Sequence, residues 1–351
     1  MDALVKFFLF LGLFNLTGCY TLKSAYHQME LLASRESYDE VLKRPDLTDD
    51  HKRKIALAQE ARDFAEKTLK LKSKGNFSKM VWLDRPYVVW SVNASDPWLL
   101  KPYEWSFPIV GRVPYLGFFN SDEAHEKQKE LVKKGLDTHV RGVSAYSTLG
   151  WFADPLLSSM LNYDEDELVE TLIHELVHST IWIKDSVDFN ERLASFLGRK
   201  GAQAFFKTRE GPASVTSLKI EQEAHDDALF SEFITRELKD LETWYSHLKP
   251  EEKTSERKAE RLGKIQQNFA QQVKPKLKSN SWNFFEKAKL NNARLVLYRT
   301  YLQDFAGFEK LWQKLDGDFP KFVDQCRQLI KSKNPDADLQ LMSTNAAGAV
   351  E

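Results

Sequence analysis

Cysteine is scarce in this sequence. Two in 351 residues are too few for a disulfide scaffold. Charge of one sign is lacking too: 50 Lys and Arg stand against 51 Asp and Glu, a formal net charge of −1. That excludes the strong basic field on which a general nucleic-acid binder relies. The apolar run at residues 3–16 covers 14 positions, too short for a spanning helix. No internal repeat is present. What remains is a composition 42% hydrophobic and 12% aromatic. It describes a folded chain able to bury a core, as one large domain or two modest ones.

The N-terminal run suits the hydrophobic region of a secretory signal, with Lys6 as its only basic side chain. It ends Leu16-Thr17-Gly18-Cys19, which resembles a bacterial lipobox. The resemblance implies a leader at 1–18, acylation of Cys19, and membrane attachment through two or more acyl chains. Tyr20, rather than Asp, follows the cysteine, and this implies an outer-membrane address facing the periplasm. Cys326 is then the only free thiol of a mature chain 19–351, and an intramolecular disulfide is ruled out.

Apolar spacing predicts an N-terminal helical segment over 19–75, broken at Pro45 and restarted at Thr48-Asp49-Asp50. Residues 86–150 change character and become rich in aromatics, Val, Pro and Gly. Strands are expected at 86–92, 107–119 and 138–143, with a polar helix from Ser121 to Gly135. From 164 onward the pattern is helical. The charged stretch 221–278 reads as a solvated amphipathic face. Asn334–Glu351 reads as a flexible tail. The expected fold class is α+β and mostly helical. A catalytic core spans 76–210, its small sheet preceding a central helix, and a helical region at 211–333 packs on it.

The central helix carries the chemistry. Residues 171–182 contain His174-Glu175-Leu176-Val177-His178, an HExxH motif. Histidines at i and i+4 share one helix face, so both imidazoles can reach one metal. Glu175 beside them can take a proton from a metal-bound water. Asp164, Glu165, Asp166 and Glu167 crowd the helix start, where the dipole favours negative charge.

Zinc requires a third protein ligand and an open fourth position. Twelve residues after His178, Asn190-Glu191-Arg192-Leu193-Ala194 opens a second helix for which Asp188 is a candidate N-cap. The Asn-Glu-x-x-Ala pattern resembles the second helix of gluzincin metallopeptidases, which implies Glu191 as the third ligand. The spacing is shorter than in the best-known gluzincins, and Ser195 stands where some of them place an orienting Asp. Asp185 and Asp188 are rival ligands. A metzincin reading fails, because Ile181 and Lys184 replace its Gly and His. Two further segments are candidates: 145–152, as a strand that could bind extended peptide, and Tyr298, whose hydroxyl could stabilise a tetrahedral oxyanion.

Several blocks occur in order: LDRPYVVWSV (83–92), WSFPIVGRVPYLGFF (105–119), GVSAYSTLGWFADP (142–155), IHELVHSTIW (173–182), DFNERLA (188–194) and NNARLVLYRTYLQDF (291–305). Together with Cys19-Tyr20 they resemble the bacterial family of predicted aminopeptidase lipoproteins. The resemblance implies a zincin-like core, a Zn²⁺ held by His174, His178 and Glu191, peptide substrates and a lipid anchor. Relatives carry cysteines near Ser106 and Arg112, and a basic residue near Leu116, so a disulfide there is absent from this chain. The resulting expectation is a zinc-dependent peptidase of aminopeptidase type, with Glu175 and Tyr298 as catalytic residues. The alternatives are a zinc endopeptidase acting on envelope proteins and a non-catalytic lipoprotein that binds an envelope partner.

Overall fold

A computed structural model describes residues 20, 23, 24, 26–107, 111–145, 153–301 and 305–344. Cys19 and all of the 145–152 candidate strand except Ala145 lie outside the described residues.

The first long helix, α1 (Asp49–Lys67), starts where the Thr48 signal places it. Thr48 Oγ1 accepts from His51 N–H at 3.1 Å, while His51 Nδ1 receives the Thr48 N–H at 3.4 Å. A histidine thus completes the reciprocal cap that Glu or Gln usually closes. The rest of the expected N-terminal helical segment is discontinuous, with helix at 26–33 and 38–41. Beyond α1 the chain turns through Lys70, Lys74, Gly75 and Phe77, all at positive φ. Asn76, wholly buried, locks this turn. Its Nδ2 donates to Ser179 Oγ at 2.8 Å, and its Oδ1 accepts from Asp154 N–H at 2.9 Å.

Among the described residues seven short strands follow: β1 (Met80–Val81), β2 (Val89–Ser95), β3 (Trp105–Phe107), β4 (Gly111–Val113), β5 (Tyr115–Phe118), β6 (Asp137–Val143) and β7 (Leu156–Leu157). β2 is the centre of an antiparallel sheet ordered β5-β2-β6, with Trp90 opposite Phe118 and Gly142. β1 and β7 form a two-residue parallel pair. β3 and β4 form a hairpin in which Ser106 faces Arg112 directly. Helix α2 (Ser121–Lys133) begins under an Asn120 side-chain cap, and Gly135 follows its end at φ +79°. Its Ala124 and Leu131 bury Val92 and Ala94 on one face of the sheet.

The remainder is helical: α3 (Glu165–Thr180), α4 (Val187–Glu210), α5 (Val215–His247), α6 (Ser255–Gln272), α7 (Asn292–Tyr301), α8 (Ala306–Lys314), α9 (Phe319–Arg327) and α10 (Pro335–Thr344). One core joins α1, α3, α4 and the C-terminal helices α8 to α10. A second, aromatic core joins α5, α6 and α7 around Phe230, Phe269 and Phe285. Asn291 and Asn292 tie α7 to the sheet. Asn291 Nδ2 donates to Thr138 O at 2.8 Å, and Asn292 N–H to Asp137 Oδ2 at 2.7 Å.

Of the 334–351 stretch expected as a flexible tail, residues 345–351 lie outside the described residues. Residues 335–344 are helical rather than frayed, and Leu339 is buried in the main core. Its few apolar side chains gain a partner surface only in the folded protein. Arg192 Nη2 donates to Asp336 Oδ1 at 2.6 Å, which fastens α10 onto α4.

Candidate functional site

Helix α3 is hydrophobic on the side away from the motif. Leu168, Leu172, Leu176, Ile173 and Val177 are fully buried, so the helix has one way to face. The opposite stripe, Glu170-His174-His178, then points at α4. The two helices approach closely. A Cβ on Gly198 would lie 3.0 Å from the Glu170 carbonyl, and one on Gly201 would lie 2.9 Å from Ile173 Cγ2. Glycine at these two positions permits the crossing.

The loop between the helices is held by Asn190. Its Oδ1 accepts from Ile183 N–H at 2.9 Å and its Nδ2 donates to Ile183 O at 2.8 Å, all buried. Asp185 absorbs the turn at φ +60°. This clamp fixes where the first turn of α4 starts, and so where Glu191 points. Ser186, not Asp188, occupies the N-cap position. In Asn190→Ala, two buried backbone groups lose their partner. Stability is expected to fall by roughly 2–4 kcal/mol, read as a lower midpoint in urea unfolding.

Three donor side chains converge. His174 Nε2 lies 3.4 Å from Glu191 Oε2, His178 Nε2 lies 3.4 Å from Glu191 Oε1, and the two Nε2 atoms are 3.1 Å apart. All three donors fall within 4.8 Å of one another, and among the described residues no other such group of three is found. Asp185 and Asp188 are exposed and outside this set. Ser195 Oγ lies 3.5 Å from His174 Nδ1, the ring nitrogen turned away from the cluster. Glu175 Oε2 is buried with no hydrogen-bond partner.

The electrostatics follow from this packing. Burial alone would depress His174, but hydrogen bonding to Glu191 and the nearby Glu175 and Glu170 hold it above its ordinary value. Burial opposes ionisation of Glu191, yet the two imidazoles win and hold its carboxyl well below the usual range. Glu170, one turn before His174, is pushed up to about 6 by burial, with Asp227 and Glu223 adding to the rise against Arg199 and His174. Arg199 is shared between Glu170 and Asp227.

A carboxyl raised in the native state favours folding below its ordinary pKa, and that advantage is lost as pH climbs through about 6. The metal-stripped Glu170→Gln protein is therefore expected to be more stable than wild type at pH 8 by roughly 1 kcal/mol, after allowance for partial exposure. At pH 4 the difference should vanish. Paired denaturation curves at the two pH values check this.

Besides Asp185 and Asp188, the proposed oxyanion-stabilising residue also lies outside this cluster. Tyr298 sits in the second core against Phe230, Trp282 and Phe285, and its hydroxyl accepts from Arg294 Nε at 3.0 Å. Among the described residues it has no contact with the histidines, Glu175 or Glu191. Glu170, conversely, escaped the sequence reading. The available signal was its place four residues before His174, on the same helical stripe.

Fold and site together define a mixed α+β, mostly helical protein in which two histidines and a glutamate converge from a helical hairpin. A family model described as "Putative aminopeptidase" matches residues 19–341, and the chain belongs to this family. The family description supports a peptidase acting on peptide substrates. No curated protein and no solved structure matches the chain.

Proposed function

We propose that this protein is a zinc-dependent aminopeptidase with a zincin-like catalytic core, held at the cell envelope by acyl chains on Cys19. The observation that carries the catalytic reading is the convergence of His174, His178 and Glu191 beside Glu175, whose buried Oε2 has no hydrogen-bond partner among the described residues. The donor set fits zinc. Ligands about 2.0–2.1 Å from a tetrahedral centre are separated by about 3.3 Å, and the spacings here are 3.1–3.4 Å. His174, His178 and Glu191 would hold the ion. When bound, Zn²⁺ polarises the scissile carbonyl and acidifies a water molecule.

The protein's own residues do the rest. Glu175, next to His174 on the same helix, removes the proton from the attacking water and delivers it to the leaving amine. Ser195 faces His174 Nδ1 and keeps Nε2 aimed at the ion. Asn190 holds the ligand-bearing turn in place.

The envelope address rests on the apolar run and the Leu-Thr-Gly-Cys sequence, and the family match begins at Cys19. Among the described residues no helix is long and apolar enough to cross a membrane.

The test is metal content by elemental analysis, followed by digestion of a peptide library with free and blocked N-termini. The expected result is one zinc per chain and cleavage confined to free N-termini. Cleavage of blocked peptides would make the protein an endopeptidase. A metal-free, inactive protein would leave the non-catalytic lipoprotein reading.

A further inference from the structure

The first described residue makes an unusual contact. Tyr20 donates from its hydroxyl to Gly117 O at 2.8 Å and accepts from Gly117 N–H at 3.0 Å. Gly117 lies on β5, the edge strand of the three-stranded sheet. One phenol thus occupies both backbone groups of Gly117 on this edge strand. The ring is wedged between Phe107 of the β3–β4 hairpin, at 5.7 Å, and Phe118 of β5, at 5.6 Å.

Cys19 is the preceding residue, so its Cα is only about 3.8 Å from that of Tyr20. Under the acylation reading of Cys19, on which this inference rests, no linker separates the lipid from the folded domain. The orientation of the protein is then set by what surrounds Tyr20. The following helical turns expose Tyr26 (66%) and Met29 (58%). His27 packs at 5.3 Å on Phe119, just past β5. The hairpin beside Tyr20 exposes Ser106 and Arg112. Two cations on this face have carboxylate partners, Lys23 with Glu123 and Arg112 with Glu104.

We propose that this face, comprising Tyr20, Tyr26, Met29, Phe119 and the exposed Ser106 and Arg112 of strands β3 and β4, rests on the lipid bilayer, so that the domain is docked in one orientation rather than tethered freely. The partner is the headgroup region of one leaflet. Aromatic rings are favoured there, and an exposed apolar set next to an acyl attachment point is covered by it. With Lys23 and Arg112 each paired to a carboxylate, the docking rests on the apolar set.

The experiment uses full-length acylated protein on phosphatidylcholine vesicles that contain brominated acyl chains. A fluorophore is placed at Met29→Cys, Ser106→Cys or Phe284→Cys, the last being an exposed ring on the rim of the second core. Cys326 is buried and escapes labelling. Quenching at positions 29 and 106 is expected to exceed that at 284 by at least about threefold, at low and high salt alike. Tyr20→Ala should stay on the vesicles and lose that difference. Equal quenching at all three sites on vesicle-bound protein, or an unchanged difference in Tyr20→Ala, would overturn the docking while leaving the anchor intact. Failure of the acylated protein to float with vesicles would overturn the anchor itself, and the docking with it.

Discussion

Glu175→Gln is expected to keep its zinc and its fold while kcat falls by about 10³-fold, within the range that a positioned general base contributes. The substitution is nearly isosteric and removes only the ability to take up a proton. Glu175 Oε2 has no hydrogen-bond partner to strand, so stability should hold. It does not belong to the donor cluster, so metal content should hold too. Elemental analysis, thermal unfolding and steady-state hydrolysis of a free peptide separate these effects. Unchanged turnover would remove Glu175 from the mechanism.

Glu191→Ala should act on the metal instead. Removing a group one shell beyond a ligand typically costs 10–100-fold in affinity. Loss of a ligand itself should cost more than about 100-fold. The two imidazoles would also lose the carboxylate that lies 3.4 Å from each Nε2. Asp185→Ala, at an exposed turn outside the cluster, should leave affinity unchanged within about twofold. Competition with a zinc-binding dye measures both. A larger effect at Asp185 than at Glu191 would reassign the third ligand.

The site was largely legible in the sequence because its information is local. His174 and His178 sit one helical turn apart, and Glu191 opens the next helix. A six-residue loop between two amphipathic helices leaves few ways to fold them back on each other. Thr48 and Gly135 marked helix ends for equally local reasons. What was not legible depends on partners distant in sequence. The role of Asn76 requires Ser179 and Asp154. Tyr298 offered a hydroxyl, but its aromatic neighbours on α5 and the 282–285 segment claimed the ring for a core. The helix at 335–344 has a weak pattern of its own and is held by Arg192 and the main core.

That last contact gives the chain end a thermodynamic role. Arg192 is the neighbour of Glu191, its guanidinium stacks over Phe189 and Phe308, and it grips Asp336 on the final helix. Under the zinc reading proposed above, ion binding at Glu191 and docking of α10 through Arg192 would act on the same turn of α4, and the two are expected to be linked. Linkage is reciprocal: whatever factor an ion adds to the docking of the final helix, the docked helix adds to retention of the ion. The loaded protein should resist carboxypeptidase better than the stripped one, and a trimmed protein should release its ion sooner. Protection of residues 335–344 would then report on the proposed metal centre without a substrate assay.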